Sequence, residues 1–134
     1  MMMALLIAAV LQAAIPMRAI DKGTLSQMDD ARRAGVKSVD EWSKLWTLHA
    51  GERARPAIDF SKEIVIGVFM GSRLTAGFSV EIVRVREEGA TLVVSYKETR
   101  PAPDSVAAQI LTSPFHIVAV PRGATTDVKF ERVN

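Results

Sequence analysis

The chain has 134 residues, 49% of them hydrophobic and 24% charged, enough to bury one core without staples. Lys+Arg 17 against Asp+Glu 15 leave a net +2, with Arg32-Arg33 as the longest basic cluster, which excludes the basic footprint of a nucleic-acid binder. Cysteine is absent, excluding disulfide frameworks, thiolate zinc sites and cysteine nucleophiles.

Met1 to Met17 contains no charged side chain. Its centre, Ala4 to Leu11, has the length of a signal-peptide apolar core, well short of the ~20 residues a spanning helix needs. Small residues follow at Ala13 and Ala14, and Pro16 stops a helix. No Lys or Arg precedes the apolar run. The reading is a signal peptide over residues 1–14, cut near Ala13 or Ala14, and a single domain over 15–134. A retained anchor, a buried helix and a misplaced start are its alternatives. The expected location is periplasmic or extracellular, with membrane contact only through an uncut N-terminal segment.

Arg18 to Lys22 reads as a first strand ended by Gly23, and Arg32 to Lys37 as a second. Ser38 and Glu41 have capping-box spacing, in which each side chain satisfies an orphan N–H at a helix start. Trp42, Leu45, Trp46 and His49 then fall on one helical face, and Gly51 ends the helix. That face docks on the domain's own sheet or, alternatively, stays open as an aromatic ligand surface. Asp59 to Glu63 reads as a turn, with Asp59 or Ser61 closing it and Phe60 tucked inward.

Ile64 to Met70 is a continuous apolar run, a strand buried on both faces. Met70 to Ser79 is a connection with Gly71 and Gly77 near its ends. Phe78 to Glu87 and Thr91 to Thr99 form a hairpin about Gly89. The apolar alternation slips between Ile82 and Val83, the mark of a bulge or of burial on both faces. After the proline-rich stretch 101–104, Val106 to Thr112 extends toward Pro114. Phe115 to Val120 is a second continuous apolar run, and Val128 to Val133 a last edge strand. Together these predict an α+β fold: a mainly antiparallel sheet of about six or seven strands, open or strongly curled, with one helix packed on it.

The chemistry is sparse. No acidic cluster accompanies either histidine in sequence, so a metal site is not expected. His49 suits the negative end of the helix dipole as a protonated imidazole. His116 reads as a hydrogen-bonded strand histidine. None of Ser72, Ser79, Ser105 and Ser113 sits in a nucleophile elbow, and Gly71 and Gly77 lack phosphate-loop spacing. They suit a turn with positive φ. The pairs Asp29-Asp30 and Glu87-Glu88 point to opposite faces of an extended chain and make no acid/base pair. Only a histidine clustered with a carboxylate and a hydroxyl in a cleft would signal an enzyme. What remains is Arg73, a candidate partner contact because arginine binds carboxylates with paired hydrogen bonds, with the hydroxyls of Ser72 and Thr75 beside it.

Four strings, Glu41 to His49, Ile58 to Glu63, Gly71 to Ile82 and Thr112 to Val118, resemble the PrcB C-terminal domain family in their order and spacing, over roughly Ile20 to Phe130. The family occurs mostly in small exported bacterial proteins and is named after a component of a secreted protease complex. The resemblance implies an exported, non-enzymatic domain that binds or stabilises a protein partner, with no cofactor and no catalytic residues. Phe78 and Phe115 stand where the family commonly has tyrosine; ring packing survives that change and phenol chemistry does not. Gly71, Gly77, Phe78, Trp42, Trp46, Phe60, Pro114 and Phe115 are then the structural loop and core. The expected function is protein binding, to a protease or other envelope protein. Its alternatives are a small-molecule or peptide module grooved between helix and sheet, and a protease inhibitor.

Overall fold

The structure, a computed structural model, describes residues 14–134. Of the expected signal segment only Ala14 is among them, and the rest lies outside the described residues. No described helix is long and apolar enough to cross a membrane.

The fold is α+β in three layers. Strands β1 (Arg18–Gly23), β2 (Arg32–Val36), β3 (Glu63–Phe69) and β6 (Phe115–Pro121) form one sheet in the order β1-β6-β3-β2. Strands β4 (Ser79–Glu88), β5 (Thr91–Thr99) and β7 (Asp127–Val133) form a second, in the order β4-β5-β7. Helix α1 (Val39–Ala50) covers the outer face of the first sheet. The two continuous apolar runs are its central strands. Ile64, Ile66 and Val68 of β3, with Val118 and Val120 of β6, face the second sheet and meet Val80, Ile82, Leu92 and Val94. Val65, Phe69, Phe115 and Ile117 face the helix and meet Trp42, Leu45 and Trp46. Sandwiching between two layers is why neither strand alternates.

All strand pairs are antiparallel except β5–β7. The parallel pair needs no βαβ unit, because the chain leaves β5, runs through β6 in the other sheet and returns. The hairpin turns at Gly89, and the register of β4 on β5 slips between Ile82 and Arg84. Val83 is the bulged residue and faces solvent. Residues 106–111 are not a strand; the Ala108 carbonyl accepts the Ala76 N–H of the 70–78 connection.

Ser38 caps α1 by accepting the Glu41 N–H, and the Glu41 carboxylate reaches back to the Lys37 N–H, one residue beyond the usual box. The indole N–H groups of Trp42 and Trp46 donate to the carbonyls of Pro56 and Arg53 at 2.9 and 2.7 Å. Both rings are buried, so the aromatic face docks on the chain's own sheet. Asp59 accepts the N–H and hydroxyl of Ser61, and Phe60 packs against the helix-side core. Hydrogen bonds outside the ladders also tie the layers. The N–H groups of Ile82 and Ile15 donate to the His116 ring and to the Val85 carbonyl, and Arg33 on β2 donates to the Tyr96 hydroxyl on β5.

Candidate functional site

At one end of the sandwich three irregular segments are laced together. Arg73 and Thr112 exchange both backbone hydrogen bonds, at 2.7 and 2.9 Å. The Ala76 N–H donates to the Ala108 carbonyl, and the Thr112 hydroxyl to the Thr75 carbonyl. On the other side the Ser72 N–H donates to the Asp29 carbonyl, and Ser26 and Ser113 are joined through their backbones. Met70 donates to the Pro114 carbonyl, which fixes where the connection leaves β3. Gly71 has φ 77°, and a Cβ there would meet the backbone of Ala31 and Asp29 at 2.7 Å. Gly77 has φ 95°, and a Cβ there would meet the Pro101 ring at 2.9 Å. Both glycines have the backbone reason expected of them.

The three candidate contact residues lie together and differ in availability. Ser72 donates its hydroxyl to Asp29, and Thr75 to the Ala76 carbonyl, so both hydroxyls are engaged inside the protein. Arg73 lies with its guanidinium carbon 5.4 Å from the centre of the Phe78 ring. Its Nε is buried without a hydrogen-bond partner. Phe78 packs in turn on the inter-sheet core. With Leu74, these residues line an open cleft of about 380 Å³.

Both segments carry exposed aliphatic side chains. Leu74 is 79% exposed, and Val106, Ile110 and Leu111, on the segment paired with the connection, are 103%, 56% and 69% exposed. Sequence reading took Val106 to Thr112 only as a stretch extending toward Pro114, and missed the pairing because its partner, at Arg73, lies far earlier in the chain. The available signal was aliphatic side chains with no regular alternation directly after a proline-rich stretch.

Residues 64–121 match the family model described as PrcB C-terminal. This segment is similar to the PrcB C-terminal family. The matched residues run from the start of β3 to the end of β6, and so contain both halves of the laced surface. β1, β2, α1 and β7 lie outside them. No curated protein and no solved structure matches the chain.

A second polar cluster lies where α1 meets β1, touching the PrcB C-terminal segment through Phe115. His49 is buried among Trp46, Phe69 and Phe115, with ring centres 5.2, 5.6 and 4.2 Å away. Its Nε2 lies 2.9 Å from the Asp21 carboxylate and its Nδ1 2.8 Å from the Ser26 hydroxyl. Arg53 pairs with the same Asp21 oxygen. A carboxylate only accepts, so Nε2 carries the proton and Nδ1 accepts from Ser26. Burial pushes the imidazole below its ordinary pKa, against the pull of Asp21. The ring is therefore neutral at pH 7, and not the protonated group expected at a helix end: desolvation outweighs the dipole.

This is the hydroxyl, imidazole and carboxylate trio that would signal a hydrolase, beside a cleft of about 320 Å³. Asp21 and His49 line that cleft, flanked by Lys22, Thr24 and Arg53. Ser26 is 9% exposed, and its oxygen already accepts the Met28 N–H. Both ring nitrogens are bonded inside the protein, which suits a strut joining helix, β1 and the 24–28 turn. Sequence reading missed it because Asp21, Ser26 and His49 belong to three separate elements. His116 takes the expected structural role: its Nδ1 accepts the Ile82 N–H at 2.9 Å, and burial lowers its pKa.

Proposed function

We propose that the chain is an exported, non-enzymatic interaction domain that binds a protein partner, a protease or another envelope protein, through the laced surface of residues 70–78 and 106–112. One observation carries this reading: Leu74, Val106, Ile110 and Leu111 are exposed on two paired segments. Clustered exposed aliphatic side chains on a backbone held by hydrogen bonds mark contact surfaces. Export rests on the apolar run Ala4 to Leu11 and on the family's usual setting. A photo-crosslinking residue placed at Leu74 or Leu111 of the full chain, with Val39 on the helix as control, gives a discrete adduct in cells from the first two sites alone. The adduct's protein, purified, then loses binding to Leu74→Asp while melting stays unchanged. Equal adducts from all three sites, or unaltered binding by Leu74→Asp, overturn the reading.

A second reading, hydrolysis, is favoured by the trio of Asp21, His49 and Ser26. A fluorophosphonate probe separates the two: labelling at Ser26 that His49→Gln abolishes supports a serine hydrolase. Labelling no greater than that of Ser26→Ala leaves the trio as a strut.

A further inference from the structure

Within the laced surface one group is not accounted for by apolar contact. Arg18, Arg53, Arg86, Arg100 and Arg132 each pair with a carboxylate of the chain. Arg33 donates to the Tyr96 hydroxyl, and Arg122 to two carbonyls. Arg73 does none of this, and unlike Arg32, Arg55 and Arg84, which are also unpaired among the described residues, it is partly buried. Among the described residues it makes no ion pair, its Nε is covered and unbonded, and its Nη groups reach solvent. Yet the residue is held firmly, by two backbone bonds to Thr112 and by the Phe78 ring beneath its guanidinium. A cation that is fixed, partly desolvated and without an internal anion is arranged for an external one.

We infer that the partner presents a carboxylate flanked by aliphatic side chains, an acidic-aliphatic peptide segment, and that Arg73 is the residue that binds it. The inference rests on the docking surface proposed above. The carboxylate meets the Nη edge end-on. The two Nη groups supply the two-bond fork while the guanidinium stays seated on Phe78. Leu74 and Leu111, next to the Arg73–Thr112 bridge on the two segments, take the aliphatic flanks. A planar guanidinium in an apolar rim distinguishes a carboxylate from its amide isostere by charge and by the two equivalent acceptors. A lysine in its place keeps the charge and loses the fork.

The test is an NMR titration of the ¹⁵N,¹³C-labelled protein, reading the Nε–H signal of Arg73 and the methyls of Leu74 and Leu111. Three probes are used: the blocked tripeptide Leu-Glu-Leu, its Leu-Gln-Leu counterpart, and acetate. The expected result is joint movement of the arginine and leucine signals with Leu-Glu-Leu, at tenfold lower concentration than either other probe. Arg73→Lys weakens that response about tenfold without moving the melting temperature. Acetate as effective as the tripeptide would make this a free-carboxylate site and overturn the peptide assignment. Equal response to both tripeptides at the leucine methyls overturns the carboxylate and leaves the docking surface standing. No response to any probe overturns the carboxylate, and the crosslinking result then decides the surface on its own.

Discussion

At the scale of single residues, Gly71 is the position where the connection is least replaceable. Its φ of 77° lies in the region L-residues avoid, and an added Cβ would sit 2.7 Å from the backbone of Ala31 and Asp29. Backbone cannot swing aside as a flexible side chain does. Gly89 makes a natural comparison, with φ 62° and nothing within 4 Å of its would-be Cβ. Gly71→Ala therefore combines left-handed strain with a steric clash and is expected to cost about 2–4 kcal/mol, whereas Gly89→Ala carries the strain alone, about 1 kcal/mol. Urea unfolding of the two variants measures both, and similar losses would mean that the 29–31 backbone yields. At the same scale, Arg73 was legible as a contact candidate from its isolation in the sequence, but the buried Nε and the Phe78 ring under it were not. They depend on Thr112, a neighbour only through the fold.

The helix is the element whose burial does most to organise the outer layer. Its cap, its apolar face and its stop at Gly51 were all readable, because each depends on spacing within a dozen residues. Its contribution is testable at Trp42, which is 1% exposed and donates to the Pro56 carbonyl. Trp42→Ala is expected to lose about 3–5 kcal/mol through the cavity left behind. Trp42→Phe, which keeps a ring and leaves that carbonyl unpaired, is expected to lose about 1–2 kcal/mol. Chemical denaturation checks the order, and a Trp42→Ala loss below about 1 kcal/mol would mean the helix is a loosely held cover. The strands divide in the same way. The β4 bulge was legible because alternation is local, and β3 and β6 because burial on both faces removes alternation. Residues 106–112 were legible only as a stretch running toward Pro114; that their aliphatic side chains are exposed was not, because composition alone does not distinguish an exposed surface from a core strand. The parallel β5–β7 pair was hidden for a related reason: sequence order does not reveal that the intervening strand belongs to the other sheet.

For the whole molecule, the two histidines tie layers together and make stability depend on pH. His49 joins the helix layer to the first sheet, and His116 joins the first sheet to the second through the Ile82 N–H. Burial lowers both pKa values below the ordinary 6.5. Around His49, Asp21 opposes that shift and Arg53 adds to it; around His116, Glu81 opposes it and Lys22 adds to it. In both cases the folded protein binds fewer protons than the unfolded chain. Their stabilisation is therefore complete above about pH 7.5 and is lost as pH falls below 6.5 toward the lowered folded values, with a limiting slope of about 1.4 kcal/mol per pH unit per histidine. Protonation would also place a second N–H against the Ile82 N–H at His116, so that the ladder between the sheets loses its acceptor. The carboxylates of Asp59 and Glu131 titrate below their ordinary values, held there by Ser61 and by Arg86 respectively, so they act in a more acidic window. The expected outcome is a melting temperature that is flat from pH 8.5 to 7.5 and falls by several degrees between pH 6.5 and 5. His116→Asn keeps an acceptor near the Nδ1 position and removes the titration, so its slope in that window is about half that of the parent chain. A parent curve that stays level down to pH 5 would show that both imidazoles charge without cost in the fold, and that the layers are held by their apolar faces alone.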